Sequence, residues 1–145
     1  MKWVTREHVK VGRIACAWAI ARFIDPDAEF EYLPREAVLP TAEREGATPF
    51  HVRGAEIAHR GRQTSFEVLV ERYELEGDPA LALLARIVNG ADTDNSTFNQ
   101  PEGPGLRAVT DGLGALGVPD AEVVRRGSMV FDALYAYCQD RARKP

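Results

Sequence analysis

Apolar residues crowd together once in this chain and thin into stripes everywhere else. Residues 12–24 carry charge only at Arg13 and Arg22, which predicts a helix buried on nearly every side. At about 3.6 residues per turn, Arg13, Cys16, Ala17, Ile20 and Ile24 share one face and Arg22 lies opposite. Gly12 is the expected N-cap. Asp25-Pro26 stops the helix, because the residue before proline is pushed out of the helical region.

Around this helix the pattern shortens. Trp3-Val4-Thr5 is β-prone and predicts an edge strand leading into the helix. Residues 28–33 set Phe30 and Tyr32 against Glu29, Glu31 and Leu33, as a half-buried strand does. Residues 35–45 read as a helix closed by Gly46, with Pro40 predicting a break, and 48–52 as a further strand. Residues 54–61, with glycine at both ends, predict an irregular or bulged segment.

From Thr64 onward the period is helical. Thr64 and Glu67 have capping-box spacing and open a helix whose inward stripe is Phe66, Leu69, Val70 and Tyr73. Asp78-Pro79 opens the next, with Leu81, Leu84, Ile87 and Val88 inward and Asn89-Gly90 as its end. A polar connection over 90–104 leads to a helix over 106–116 and then a last helix from Pro119-Asp120, whose charged end at Arg143-Lys144-Pro145 is expected to fray. Val123, Val124, Gly127, Val130, Phe131, Leu134, Tyr135 and Cys138 give that last helix a broad apolar face, and Gly127 permits close approach of another helix. The order predicts an α/β or α+β fold: a small sheet, a buried central helix and a mostly helical C-terminal half, in a single domain over 1–145.

Composition narrows the function classes. A net charge of −4, with basic clusters only at Arg125-Arg126 and near the C-terminus, argues against nucleic acid as a partner. No apolar run approaches membrane-span length and no signal-peptide core follows Met1, so a cytoplasmic location without membrane partners is expected. Cys16 and Cys138 lie far apart, which gives neither a disulfide framework nor a cysteine zinc site. Gly112, Gly114 and Gly117 match a dinucleotide-binding spacing by letter, but no strand precedes them and no β-α-β unit follows.

The candidate chemistry begins at Arg13. A cation at a helix start, where the dipole is already positive, together with free backbone N–H groups, predicts an oxyanion site, with His8 close by in sequence. Cys16, about one turn further in, is the candidate reactive thiol. Glu56 and His59 are spaced as half of a carboxylate-bridged di-iron site. A single copy points instead to a mononuclear iron, zinc or manganese ion, with Asp92 or Asp94 as further ligands. Asp92 does not open an EF-hand, since Thr97 and Gly103 stand where glycine and glutamate are required. Plainer roles stay open for all of these: Arg13 paired with a nearby carboxylate, an inert core thiol, solvated histidines, a salt-bridged Glu56, and Asx turns at Asp92 and Asp94.

Trp3 to Glu7, Lys10 to Trp18, Arg22-Phe23-Ile24-Asp25 and Gly90 to Thr93 resemble the chromate-resistance family, and specifically the C-terminal domain of ChrB-type proteins. The resemblance runs over nearly the whole chain. The family pattern has Asp at position 12, Pro at 17 and Cys near 64, where this chain has Gly12, Ala17 and Thr64. Many ChrB-type proteins carry an additional N-terminal domain to which DNA regulation is attributed, and this chain is expected to be a free-standing version lacking it. The resemblance implies a protein that handles an oxyanion or a metal ion, with Cys16 assisting chromate reduction beside a recycling reductant. Two alternatives accompany it: a mononuclear metal-dependent redox enzyme, and a non-catalytic domain that binds a protein partner or a second copy through its last helix.

Overall fold

Trp3, Val4 and Thr5 are fully buried, and this places their strand, β1 (Lys2–Arg6), in the middle of the sheet instead of at its edge. A strand covered on both faces shows no polar alternation, so its short sequence does not reveal its neighbours. The computed structural model describes residues 1–94 and 96–144. Asn95, in the expected polar connection, and Pro145, at the expected frayed end, lie outside the described residues.

The sheet has the order β2-β1-β3, with β2 at Glu29–Leu33 and β3 at Thr48–Pro49, and both pairings are parallel. Lys2 stands opposite Glu29 and Arg6 opposite Leu33, while Trp3 and Val4 meet Thr48 and Pro49. Parallel neighbours require crossovers, and two helices supply them. The first is α1 (Val11–Ala19), which runs on as a π-helical turn over Ile20–Ile24, and the second is α2 (Arg35–Glu45). β3 is short because Pro49 cannot donate to the ladder and is confined to an edge.

Trp3 joins the main core with α1 and the C-terminal helices, whereas Val4 joins Val38, Ala42 and Val52 in a smaller core under α2. Successive residues of β1 therefore serve opposite faces of the sheet. Pro40 does not break α2. It sits on the exposed side, where water can take the carbonyl that its missing N–H would have bonded.

The remaining helices are α3 (Ser65–Arg72), α4 (Pro79–Asp92), α5 (Glu102–Ala115) and α6 (Asp120–Arg143). All nine residues of α1 are buried, enclosed by α3, α4, α5 and α6. Most of the apolar face of α6 is taken up inside the molecule, with Val130 and Leu134 half-buried: a Cβ on Gly127 would overlap Ile14 of α1, and Trp18 lies against Phe131 and Tyr135. Lys10 is the N-cap of α1, so Gly12 lies inside the first turn and not at the cap. Among the described residues these elements form a three-stranded parallel sheet with six helices, an α/β fold with a helical second half. No helix among them is long and apolar enough to cross a membrane.

Candidate functional site

Because the three strands run parallel, their carboxyl ends open on the same side, where ligand crevices form in α/β folds. Arg6 ends β1, Arg35 follows β2 after Pro34, and His51 and Arg53 follow β3. With Arg13 from the start of α1, Ala58 and His59 from the irregular segment, and Ser65 from the start of α3, they line a cavity of about 400 Å³. Among the described residues, none of the four arginines forms a salt bridge.

Arg13 is only 4% exposed. Its Nη2 donates to the His8 carbonyl at 3.1 Å, and its Nε has no hydrogen-bond partner among the described residues. Burial first, and then the nearby Arg6, push its pKa down to about 10, with Asp92 and Asp120 opposing. It is a cation at neutral pH, held in a poorly solvated place.

Beside the arginines stands a second cluster. His51 adopts a left-handed backbone (φ 54°), uncommon for a residue with a side chain, and its N–H donates to the Ile57 carbonyl at 2.7 Å. Its Nε2 lies 3.2 Å from Asp92 Oδ2, and His59 Nε2 lies 3.6 Å from the same oxygen. The two imidazoles meet edge to face with centroids 4.8 Å apart. Asp92 is the last residue of α4, at the negative end of the helix dipole, where a carboxylate is disfavoured. The two rings, with Arg13 acting at longer range, offset that placement.

The ring of His59 is oriented from its far side. Its Nδ1 accepts the Ser65 N–H at 2.9 Å and lies 2.9 Å from Ser65 Oγ. A ring nitrogen that accepts a backbone N–H carries no proton, so the neutral imidazole keeps its proton on Nε2, the atom facing Asp92. Burial, followed by the facing His51, holds His59 below the usual histidine range, against Asp92 and Glu67. Ser65 stands where it does because Thr64 caps α3 in a complete capping box with Glu67.

Gly12 closes the arrangement on the α1 side. A Cβ there would overlap both His51 Nε2 and the Asp92 carboxylate, so only glycine lets the helix start lie against the cluster.

The structure brings Arg13, His59 and Asp92 together and leaves the other expected site residues apart. Cys16 is wholly buried, and burial, followed by Asp92, pushes its thiol well up against the opposing Arg13, so it is no accessible thiolate. The side chain of His8 is 88% exposed beside Glu7, and only its backbone carbonyl reaches Arg13. Glu56 turns outward to pair with Arg72 of α3, because residues 54–61 form turns and not a helix on which it would share a side with His59. Asp94, beyond the end of α4, is 87% exposed and pairs with Arg107 at 2.9 Å. His51 is absent from the expected set. The sequence pattern puts it inside an expected strand over 48–52, whereas β3 ends at Pro49 and the chain bends at His51.

The family described as ChrB, C-terminal domain, matches residues 3–138. The chain belongs to this family. Protein ChrB of Cupriavidus metallidurans (strain CH34) is 35% identical over 136 residues, which is 94% of this chain and 40% of that relative. The chain thus spans about 40% of the length of the curated relative it matches. No solved structure matches it. Gly12 faces the histidine cluster directly, and Thr64 caps the helix that begins with Ser65.

Proposed function

We propose that this chain binds a small tetrahedral oxyanion in the arginine-lined cavity and serves chromate resistance through that binding. The observation that carries this reading is Arg13: a guanidinium 4% exposed, with an unpartnered Nε among the described residues, on a cavity shared with Arg6, Arg35 and Arg53. Guanidinium groups suit oxyanions because their planar N–H fork matches two oxygens at once. Four cations around one cavity, none in a salt bridge among the described residues, focus a positive potential in a chain whose net charge is −4. Chromate and sulfate share charge and shape, and family membership is what favours chromate. Two buried free cysteines suit a reducing cytoplasm. The reading contains no thiol step, because Cys16 is closed off from the cavity's solvent.

The test is calorimetric titration of chromate, and separately of sulfate, into the chain and its Arg13→Gln variant at two salt concentrations. The expected result is one anion per chain, weakened by salt, with the variant at least about tenfold weaker, as loss of a charged hydrogen-bond donor implies. Absence of binding by both anions, or a variant that binds like the parent, would overturn the reading.

A further inference from the structure

We propose that His51, His59 and Asp92 form a mononuclear site for a divalent transition ion of the zinc, iron or manganese class, bound through the two Nε2 atoms and one Asp92 oxygen. Each residue offers a ligand atom, and these atoms all lie within 4.8 Å of one another. The two edges to Asp92 Oδ2, 3.2 and 3.6 Å, bracket the separation of roughly 3.3 Å that bonds of about 2.05 Å subtend at a tetrahedral ion. Two imidazoles and a carboxylate are a donor set that such ions accept and that magnesium and calcium do not favour.

Three further features fit an ion and not merely a hydrogen-bonded trio. Gly12 lets the α1 backbone lie directly against the cluster, where any Cβ would overlap His51 Nε2 and the Asp92 carboxylate. His51 is held in a strained left-handed conformation that aims its ring at the cluster, and such strain gathers at functional sites. His51 and His59 both line the arginine cavity, so the remaining coordination positions of a three-ligand ion face it, as in open catalytic sites.

Ser65 gives the site its supporting partner. With the ion absent, the His59 proton is on Nε2 and Nδ1 accepts the Ser65 N–H. An ion on Nε2 uses that atom's lone pair, so the ring proton transfers to Nδ1 and is donated to Ser65 Oγ, 2.9 Å away, while the Ser65 N–H is released from the ring. The ring exchanges tautomers and loses no net proton.

The proposal does not rest on the anion reading. Ion binding is measured with no oxyanion present, and the anion titration is run on chelator-stripped protein, so either can fail alone. The experiment uses the untagged chain, stripped with chelator, and titrates zinc against a chromophoric competitor, with cobalt(II) absorption as a probe of coordination. One ion per chain is expected. Loss of an outer partner costs about 10–100-fold in metal affinity and loss of a ligand costs more, so Ser65→Ala loses affinity within that range and His51→Ala and His59→Gln lose more. Glutamine at 59 keeps an acceptor for the Ser65 N–H, and Asp92→Asn gives an independent ligand loss if His51→Ala does not fold. Glu56→Gln and Asp94→Asn bind like the parent. In ¹⁵N-detected spectra His59 changes from the Nε2–H to the Nδ1–H form on adding zinc. Failure to bind one ion, unchanged affinity in the folded ligand variants, or affinity lost with Glu56→Gln instead, would each overturn the site.

Discussion

Replacing Gly12 with alanine sets two effects against each other. Alanine inside a helix is favoured over glycine by about 0.8–1 kcal/mol, and an open helix start would gain most of that. Here the new methyl group meets His51 Nε2 and Asp92 Oδ2, and both must retreat by about 1 Å to reach ordinary contact. Neither has easy room: His51 is fixed by its φ of 54° and its bond to Ile57, and Asp92 ends a buried helix. Overpacking of this kind costs about 1–3 kcal/mol, and separating the mostly buried His51–Asp92 pair costs roughly 1 kcal/mol more. The intrusion outweighs the propensity gain, and Gly12→Ala is expected to be less stable by about 1–3 kcal/mol. Urea unfolding followed by the fluorescence of the buried Trp3 and Trp18 measures the stability change. The ring signals of His51 and His59 report whether the cluster has moved. A variant about 1 kcal/mol more stable than the parent, with both ring signals unshifted, would refute the placement of the helix start against the cluster.

Two further outcomes follow from burial and charge. Neither Cys16 nor Cys138, both buried with thiols pushed up, reacts with a disulfide reagent at pH 8 in the folded chain, and both react in denaturant; rapid native labelling of Cys16 would contradict the packing of α1. The Tyr135 hydroxyl donates to Asp78, and burial, then that bond, push its phenol up to about 12. A folded pKa above the unfolded value of about 10 gives stability that is whole below pH 10 and lost as pH rises toward 12. The stability difference between the parent and Tyr135→Phe should therefore be level up to pH 10 and shrink above it, and a difference that stays level through pH 11.5 would argue against the bond.

What the sequence reveals here is what short-range chemistry decides. The Thr64–Glu67 capping box and the Asp78-Pro79 helix start are local bargains between neighbouring groups, and both are present where the spacing puts them. The burial of α1 is equally plain, because its run of apolar residues has no polar face to expose. The failures are tertiary. Gly90 reads as a helix stop, but α4 continues to Asp92; the close packing there requires glycine at Gly103 of α5, where a Cβ would press on the Gly90 backbone, while a Cβ at Gly90 would meet only ordinary contacts. Those two extra residues are what carry Asp92 to the histidines. Glu56 and His59 are close in sequence and diverge in space, whereas His51 reaches the cluster by a turn whose path depends on the bridge between Phe50 and Ile57. The sequence does not mark Arg6 and Arg35, because only the parallel pairing of their strands brings them to one cavity.

The stretch between β1 and α1 is tied down from far away. The N–H groups of His8 and Val9 donate to the two oxygens of Asp120, at 3.0 and 2.8 Å, and Asp120 is the first residue of α6. That contact closes a loop of 112 residues, at an entropic cost of roughly 4 kcal/mol. The carbonyl that receives Arg13 belongs to the same His8 whose N–H is held this way. The arginine that faces the cavity is thus positioned partly through α6, so the docking of the last helix bears on a pocket whose lining residues all come from the first 65 of the chain.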